Sequence, residues 1–204
     1  MSTLWRKALR DFWLEKTRTV LVVVAVAVGL SAFLTVLASY AILTRELDLG
    51  YQATNPASAT FYLDSIDDEL LARVMSHPEI GAAEARRSVA GRIKVGPVEW
   101  RALTLFVVRD FGSIRVSTLK PQEGEWPPAK GDVLIERDAV RVARSRIGEN
   151  VVVRTARGPE QSLRFSGIVK DVGQAQARME NVVYGYITQD TLAQLGEVPS
   201  LDQL

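Results

Sequence analysis

The longest feature in the hydropathy pattern is an uncharged run from Thr19 to Thr44, TVLVVVAVAVGLSAFLTVLASYAILT, bounded by Arg18 and Arg45. As an α-helix these residues extend about 39 Å, more than the roughly 30 Å hydrocarbon core of a bilayer. The pattern therefore predicts a transmembrane helix over 19–44, tilted in the membrane or emerging as a helical stalk. Ser39-Tyr40-Ala41 offers small residues to a signal peptidase, but a cleaved signal has an apolar core of only about 7–15 residues. A soluble core helix that is apolar on all sides would need the rest of the chain to wrap it completely.

Upstream, Leu4, Trp5, Ala8, Leu9, Phe12 and Trp13 recur on one helical face, while Arg6, Lys7, Arg10 and Asp11 fall on the other. Residues 1–18 are read as an amphipathic helix in the cytoplasmic headgroup layer. Trp5, Arg6, Lys7, Arg10, Phe12, Trp13, Lys16 and Arg18 are its membrane-interface candidates. A short disordered basic tail that only orients insertion is the alternative. Within the span, Ala25, Gly29 and Ala32 form a small-residue stripe that would let another helix approach, although small residues are common in any membrane helix.

From residue 45 the pattern changes to short β-like and helical segments. Thr60 to Leu63 reads as a strand, and Ser65 with Asp68 resembles a capping box for a helix with apolar Ile66, Leu70, Leu71, Val74 and Met75 before Pro78. Stretches 83–95 and 98–108 form a hairpin about Gly96-Pro97; the second is half-buried at first and then buried on both faces. Lys120 to Gly131, KPQEGEWPPAKG, reads as a loop. A strand at Asp132 to Glu136 and a helix over about 137–146 follow, stopped at Gly148-Glu149-Asn150. Val151 to Thr155 and Ser162 to Val169 pair around Arg157-Gly158-Pro159-Glu160. Val182 to Ile187 leads into a helix capped by Thr188 or Asp190. The class is α+β for the extracytoplasmic domain 45–204, with a two-lobed form meeting near 118–131 left open, preceded by one transmembrane α-helix.

Charge then orients the chain. The first 18 residues hold five basic and two acidic side chains, whereas Arg45-Glu46-Leu47-Asp48 follows the span. The positive-inside rule puts the N-terminus in the cytoplasm and the main domain outside the cell (inner) membrane. The rest of the chain has 20 basic against 22 acidic residues, which disfavours a nucleic-acid partner.

No Cys and one His exclude disulfides, thiolate nucleophiles, iron–sulfur clusters and conventional Cys/His zinc sites. His77 adjoins a helix stop, Asp67-Asp68-Glu69 suits a helix's first turn, and Glu123, Glu125 and Trp126 read as a solvated loop around a packed ring. Lys16-Thr17 lacks the glycines of a phosphate loop. No catalytic, cofactor-binding or metal site is expected, and no cofactor.

Residues 8–42, ALRDFWLEKTRTVLVVVAVAVGLSAFLTVLASYAI, resemble the opening of permease subunits of the MacB/FtsX-like ABC transporter family, where a basic elbow enters the first membrane helix. GDVLIERDAVRVARSRIGENVVVRTARG (131–158), LRFSGIVKDVG (163–173) and VVYGYITQDTLAQLGE (182–197) are similar to that family's periplasmic core domain. The resemblance implies a non-enzymatic transport or envelope-signalling subunit. Its implied partners are membrane lipid, further permease transmembrane helices and a separate ABC ATPase, with an extracytoplasmic adaptor or ligand as an option. Family members continue with more of the domain and further membrane helices, so 1–204 is expected to be the N-terminal part of a permease, its domain incomplete at the C-terminus. A single-pass anchored binding or scaffold protein is the alternative.

Overall fold

The computed structural model describes residues Lys16–Leu204, and the chain divides into two compact units between Leu49 and Gly50. The first is most of one helix, α1 (Lys16–Gln52), none of whose residues is buried. Its 37 residues extend about 55 Å. Among the described residues it is the one helix long and apolar enough to cross a membrane. The Thr35 hydroxyl donates to the Ser31 carbonyl (2.7 Å) and that of Thr44 to the Tyr40 carbonyl (2.9 Å), so these polar groups are satisfied within the helix.

The second unit, Gly50–Leu204, is mixed α+β and holds together as one body rather than two lobes. Its strands are β1 (Tyr62–Ile66), β2 (Arg86–Lys94), β3 (Trp100–Val108), β4 (Lys120–Gly124), β5 (Asp132–Glu136), β6 (Asn150–Thr155), β7 (Gln161–Lys170), β8 (Val182–Thr188) and β9 (Leu201–Gln203). Short helices α2 (Asp68–Met75), α3 (Val140–Ala143), α4 (Ala177–Glu180) and α5 (Gln189–Gln194) lie between them. The sheet order is β1-β9-β2-β3-β8-β5-β7-β4, and β6 pairs with both β2 and β7. That double pairing closes β2, β3, β8, β5, β7 and β6 into a ring, with β9 and β1 continuing from β2 and β4 from β7.

Alternation along the strands fills the ring. Val89, Ile93, Leu103, Leu105, Val133, Ile135, Val151, Val153, Leu163, Phe165 and Val183 form the main core, each nearly or fully buried. Gly185 sits where a Cβ would come within 3.0 Å of Leu105 and 3.1 Å of Val133, so the interior has room for no side chain there. A second cluster, Val108, Phe111, Leu119, Leu134, Val169 and Tyr186, packs with the half-buried Trp126. Leu134 joins it while its neighbours Val133 and Ile135 join the first, so β5 buries both of its faces.

Several elements differ from the sequence reading. The helix cap is Asp67, whose carboxylate accepts from the Leu70 N–H at 2.7 Å; Ser65 is instead extended in β1. The helix expected over about 137–146 is one turn, because Arg144 turns left-handed (φ 52°) and residues 148–149 are hydrogen-bonded back to Phe165. Lys120–Gly124, read as loop, is a strand on β7 with a bulge between Pro121 and Glu123. It lies at the end of the sheet order, where pairing is one-sided and proline is tolerated. Gly124 (φ +84°) is required there, since a Cβ would stand 2.2 Å from the Ser166 carbonyl oxygen. Thr188, rather than Asp190, caps α5 by accepting from the Thr191 N–H.

Candidate functional site: the chain entry into the domain

Thr54 and Asn55 follow α1 and carry the chain into the folded domain. Thr54 is 3% exposed; its N–H and hydroxyl both donate to the Tyr51 carbonyl, at 3.0 and 2.7 Å. Asn55 adopts the left-handed conformation (φ 51°) that asparagine accepts more readily than most residues. That turn presents two consecutive carbonyls to the loop between β3 and β4: Thr54 accepts from the Thr118 N–H and Asn55 from the Ser117 N–H, both at 2.8 Å. The Asn55 amide nitrogen donates to the Arg115 carbonyl at 2.7 Å.

The loop is held from its other side by a charged pair at the start of β2. Glu84 accepts from the backbone N–H groups of Arg115 and, at 2.9 Å, Val116. Arg86 donates to Glu84 at 2.9 Å and to the carbonyls of Val116 and, at 3.3 Å, Ser117. Both side chains are about four-fifths buried, so these charge-assisted bonds are shielded from water. The sequence reading missed Glu84 and Arg86. The signal available was Glu84-Ala85-Arg86 opening an apolar strand, where charged residues need partners if buried.

The arrangement has no nucleophile or acid–base pair. Two backbone bonds join Thr54 and Asn55 to Thr118 and Ser117, and Glu84 and Arg86 join that loop to the start of β2, a strand of the closed ring.

The sequence-predicted residues distribute differently. Ala25, Gly29 and Ala32 lie along α1, and a Cβ on Gly29 would meet nothing within 4 Å. Lys16 and Arg18 lie exposed in the first turn of α1, whereas Trp5, Arg6, Lys7, Arg10, Phe12 and Trp13 fall outside the described residues. His77 is exposed just beyond the Ser76 cap of α2. Asp68 pairs with Arg109, whose guanidinium holds the carboxyl below its usual range, and Glu69 pairs with Arg73 at 2.7 Å. Glu125 binds Arg164 through both oxygens (2.8 and 2.6 Å), and Trp126 meets Phe111 edge-on at 5.2 Å. Among the described residues no group of three or more His, Asp or Glu side chains is placed to hold a metal ion.

The mixed sheet of Gly50–Leu204 is similar in fold to domains of known structure. The chain matches the extracellular domain of the noncanonical ABC-type transporter YknZ from Gram-positive bacteria with a TM-score of 0.50 at 15% identity, over 71% of this chain and 79% of that one. The periplasmic region of MacB from Actinobacillus actinomycetemcomitans aligns with a TM-score of 0.44 at 13% identity, over 71% of this chain and 70% of that one. No family model matches the sequence, and no curated protein sequence does. At such identities the fold is what is shared.

Proposed function

We propose that this chain is the N-terminal part of an ABC transporter permease subunit of the MacB/FtsX-like type. Residues 1–18 lie at the cytoplasmic face, 19–44 cross the membrane and 45–204 form the extracytoplasmic domain. The observation that carries this reading is the YknZ-like domain fold placed directly after a helix of membrane-spanning length. In this reading ATP hydrolysis belongs to a separate subunit. Further permease helices pack on α1 along Ala25, Gly29 and Ala32, and Trp5, Arg6, Lys7, Arg10, Phe12, Trp13, Lys16 and Arg18 engage lipid. The Thr54–Asn55 segment then relays movement of the span into the domain, for export or envelope signalling.

Affinity purification of the chain at native level from detergent-solubilised membranes tests the partners. A Walker-motif ATPase and additional permease segments are the expected co-purifying proteins; recovery of envelope proteins without an ATPase refutes the reading in favour of a single-pass scaffold. The sequence has no cysteine, so single-cysteine variants test orientation cleanly. Met179→Cys, at a position 82% exposed, should react with a membrane-impermeant maleimide in intact cells, and Ser2→Cys should not.

A further inference from the structure

The outer face of the ring around Trp100 carries three cations, and among the described residues Arg92 and Lys94 have no ion-pair partner. Arg92 on β2 stands directly across from Arg154 on β6 and, on its other side, from Ala102; Lys94 stands across from Trp100. The Arg154 guanidinium lies 5.2 Å and the Lys94 ammonium 5.9 Å from the centre of the Trp100 ring. Among the described residues the one carboxylate within ion-pairing distance of these three cations is Glu160, at 3.9 Å from Arg154. On the opposite side of the same hairpin each cation has an ion-pair partner, because Arg101 and Arg144 share Glu99.

Like charges set directly opposite on neighbouring strands destabilise a sheet. An Arg92–Arg154 pair beside a half-exposed Trp is therefore a local cost that a bound anion would relieve. The hairpin tip adds an apolar element, since Val98 is 91% exposed beside Pro97. The patch also lies at the far end of β2 from Arg86, the end held by the Val116 and Ser117 carbonyls, with Arg92 about 20 Å and Lys94 about 26 Å along the strand from it. Three cations are also fewer than the 6–10 phosphate contacts of a typical nucleic-acid site.

We infer that the Arg92, Lys94, Trp100 and Arg154 face, with Val98 at its margin, docks an acidic protein segment: carboxylates on the three cations and an apolar side chain against Trp100 and Val98. Trp100, with cations already poised over its ring, supplies the desolvated centre around which such carboxylates gain strength. The inference goes beyond the transporter reading and stands without it.

The test uses the full chain in a neutral detergent and a fluorescent decameric glutamate peptide, with a decameric glutamine peptide as control, read by anisotropy. The glutamate peptide should bind, weaken as salt rises from about 50 to 300 mM, and lose about tenfold or more in affinity in the Arg92→Gln, Lys94→Gln, Arg154→Gln triple variant. Arg101→Gln, on the opposite side where the guanidinium is paired with Glu99, should bind as the wild type does. Arg92→Gln alone should weaken binding and yet raise the thermal midpoint by about 1–3 °C, which separates a docking role from a structural one. Equal binding of the triple variant and wild type overturns the proposal. So does a fall in midpoint for Arg92→Gln, binding of phosphatidylserine vesicles in place of the peptide, or binding of a sulfated oligosaccharide with no binding of the peptide.

Discussion

Replacing Glu84 by alanine removes the group that holds the 115–118 loop. The carboxylate accepts from two backbone N–H groups, those of Arg115 and Val116, and pairs with Arg86. Hydrogen bonds to charged groups contribute about 1.5–3 kcal/mol each, and loss of the acceptor leaves partly buried donors and a partly buried guanidinium unsatisfied. With the side chain still about one-fifth exposed, water recovers part of this, which sets the net effect at about 3 kcal/mol. Since every 1.4 kcal/mol is tenfold in an opening equilibrium, protection of the Ser117 and Thr118 amides against hydrogen exchange should fall about 100-fold. Those two amides are the ones bonded to Asn55 and Thr54. Exchange measured by mass spectrometry should therefore show the loss in 109–119 and 50–57 together, while β5 and β7 keep their protection. Loss confined to 109–119, with 50–57 unchanged, would refute the idea that this loop fixes the chain entry. Glu84→Gln, which keeps an acceptor but no charge, should fall between alanine and wild type.

Other substitutions probe separate parts of the molecule. Arg164 bonds Asp132 at 2.9 and 2.7 Å and Glu125 at 2.8 and 2.6 Å, and the Asp132 side chain is only 5% exposed. Arg164→Met should cost about 2–3 kcal/mol in thermal unfolding by stranding that carboxylate, and adding Asp132→Asn should recover part of the loss; further destabilisation by the second change would contradict this. Burial pushes the Glu136 carboxyl above its ordinary range. The folded state therefore holds its proton to higher pH than the unfolded state, and stability contributed at low pH is lost as pH rises from about 4.5 through the raised value. Glu136→Gln should accordingly melt higher than wild type at pH 7, with the difference vanishing below about pH 4, whereas a difference independent of pH would rule the mechanism out. Gly29→Leu should weaken recovery of partner helices from membranes and leave the melting of the domain Gly50–Leu204 unchanged; undiminished recovery would remove the packing role proposed for the stripe.

What was legible in the sequence followed from periodicity. The charge-free run announced α1, and the β-rich run 98–108 announced β3, although its burial alternates nearly to the end: Leu103, Leu105 and Val107 are buried, whereas Val98 and Ala102 are exposed and Trp100, Thr104 and Phe106 half-buried. The hairpins 86–108 and 150–170 were readable because Gly-Pro turns separate β-rich runs. Tertiary demands hid the rest. Lys120–Gly124 looks like loop because Pro121 and Gly124 are poor strand residues, yet β7 offers it an edge and Gly124 fits where the Ser166 carbonyl leaves no room for a Cβ. The brevity of α3 depends on Phe165, which recruits the backbone of Gly148 and Glu149 from 16 or more residues away. Likewise, nothing local marks Glu84 and Arg86 as a clamp, because their partners lie about 30 residues downstream.

The pairing of β1 with β9 sets an order of events during synthesis. Ile66 finds its partner only in Leu201, and Tyr62 in Gln203. At about 5–20 residues per second, the intervening 135 or so residues take on the order of ten seconds to emerge. Until then Phe61, Tyr62 and Leu63 belong to an unpaired strand, and even in the finished domain their side chains stay 62%, 75% and 40% exposed. The growing chain therefore presents an open, aromatic β-edge for most of the domain's synthesis. Covering that edge until Leu201–Gln203 emerges is a demand of synthesis that the stability of the folded domain does not reveal.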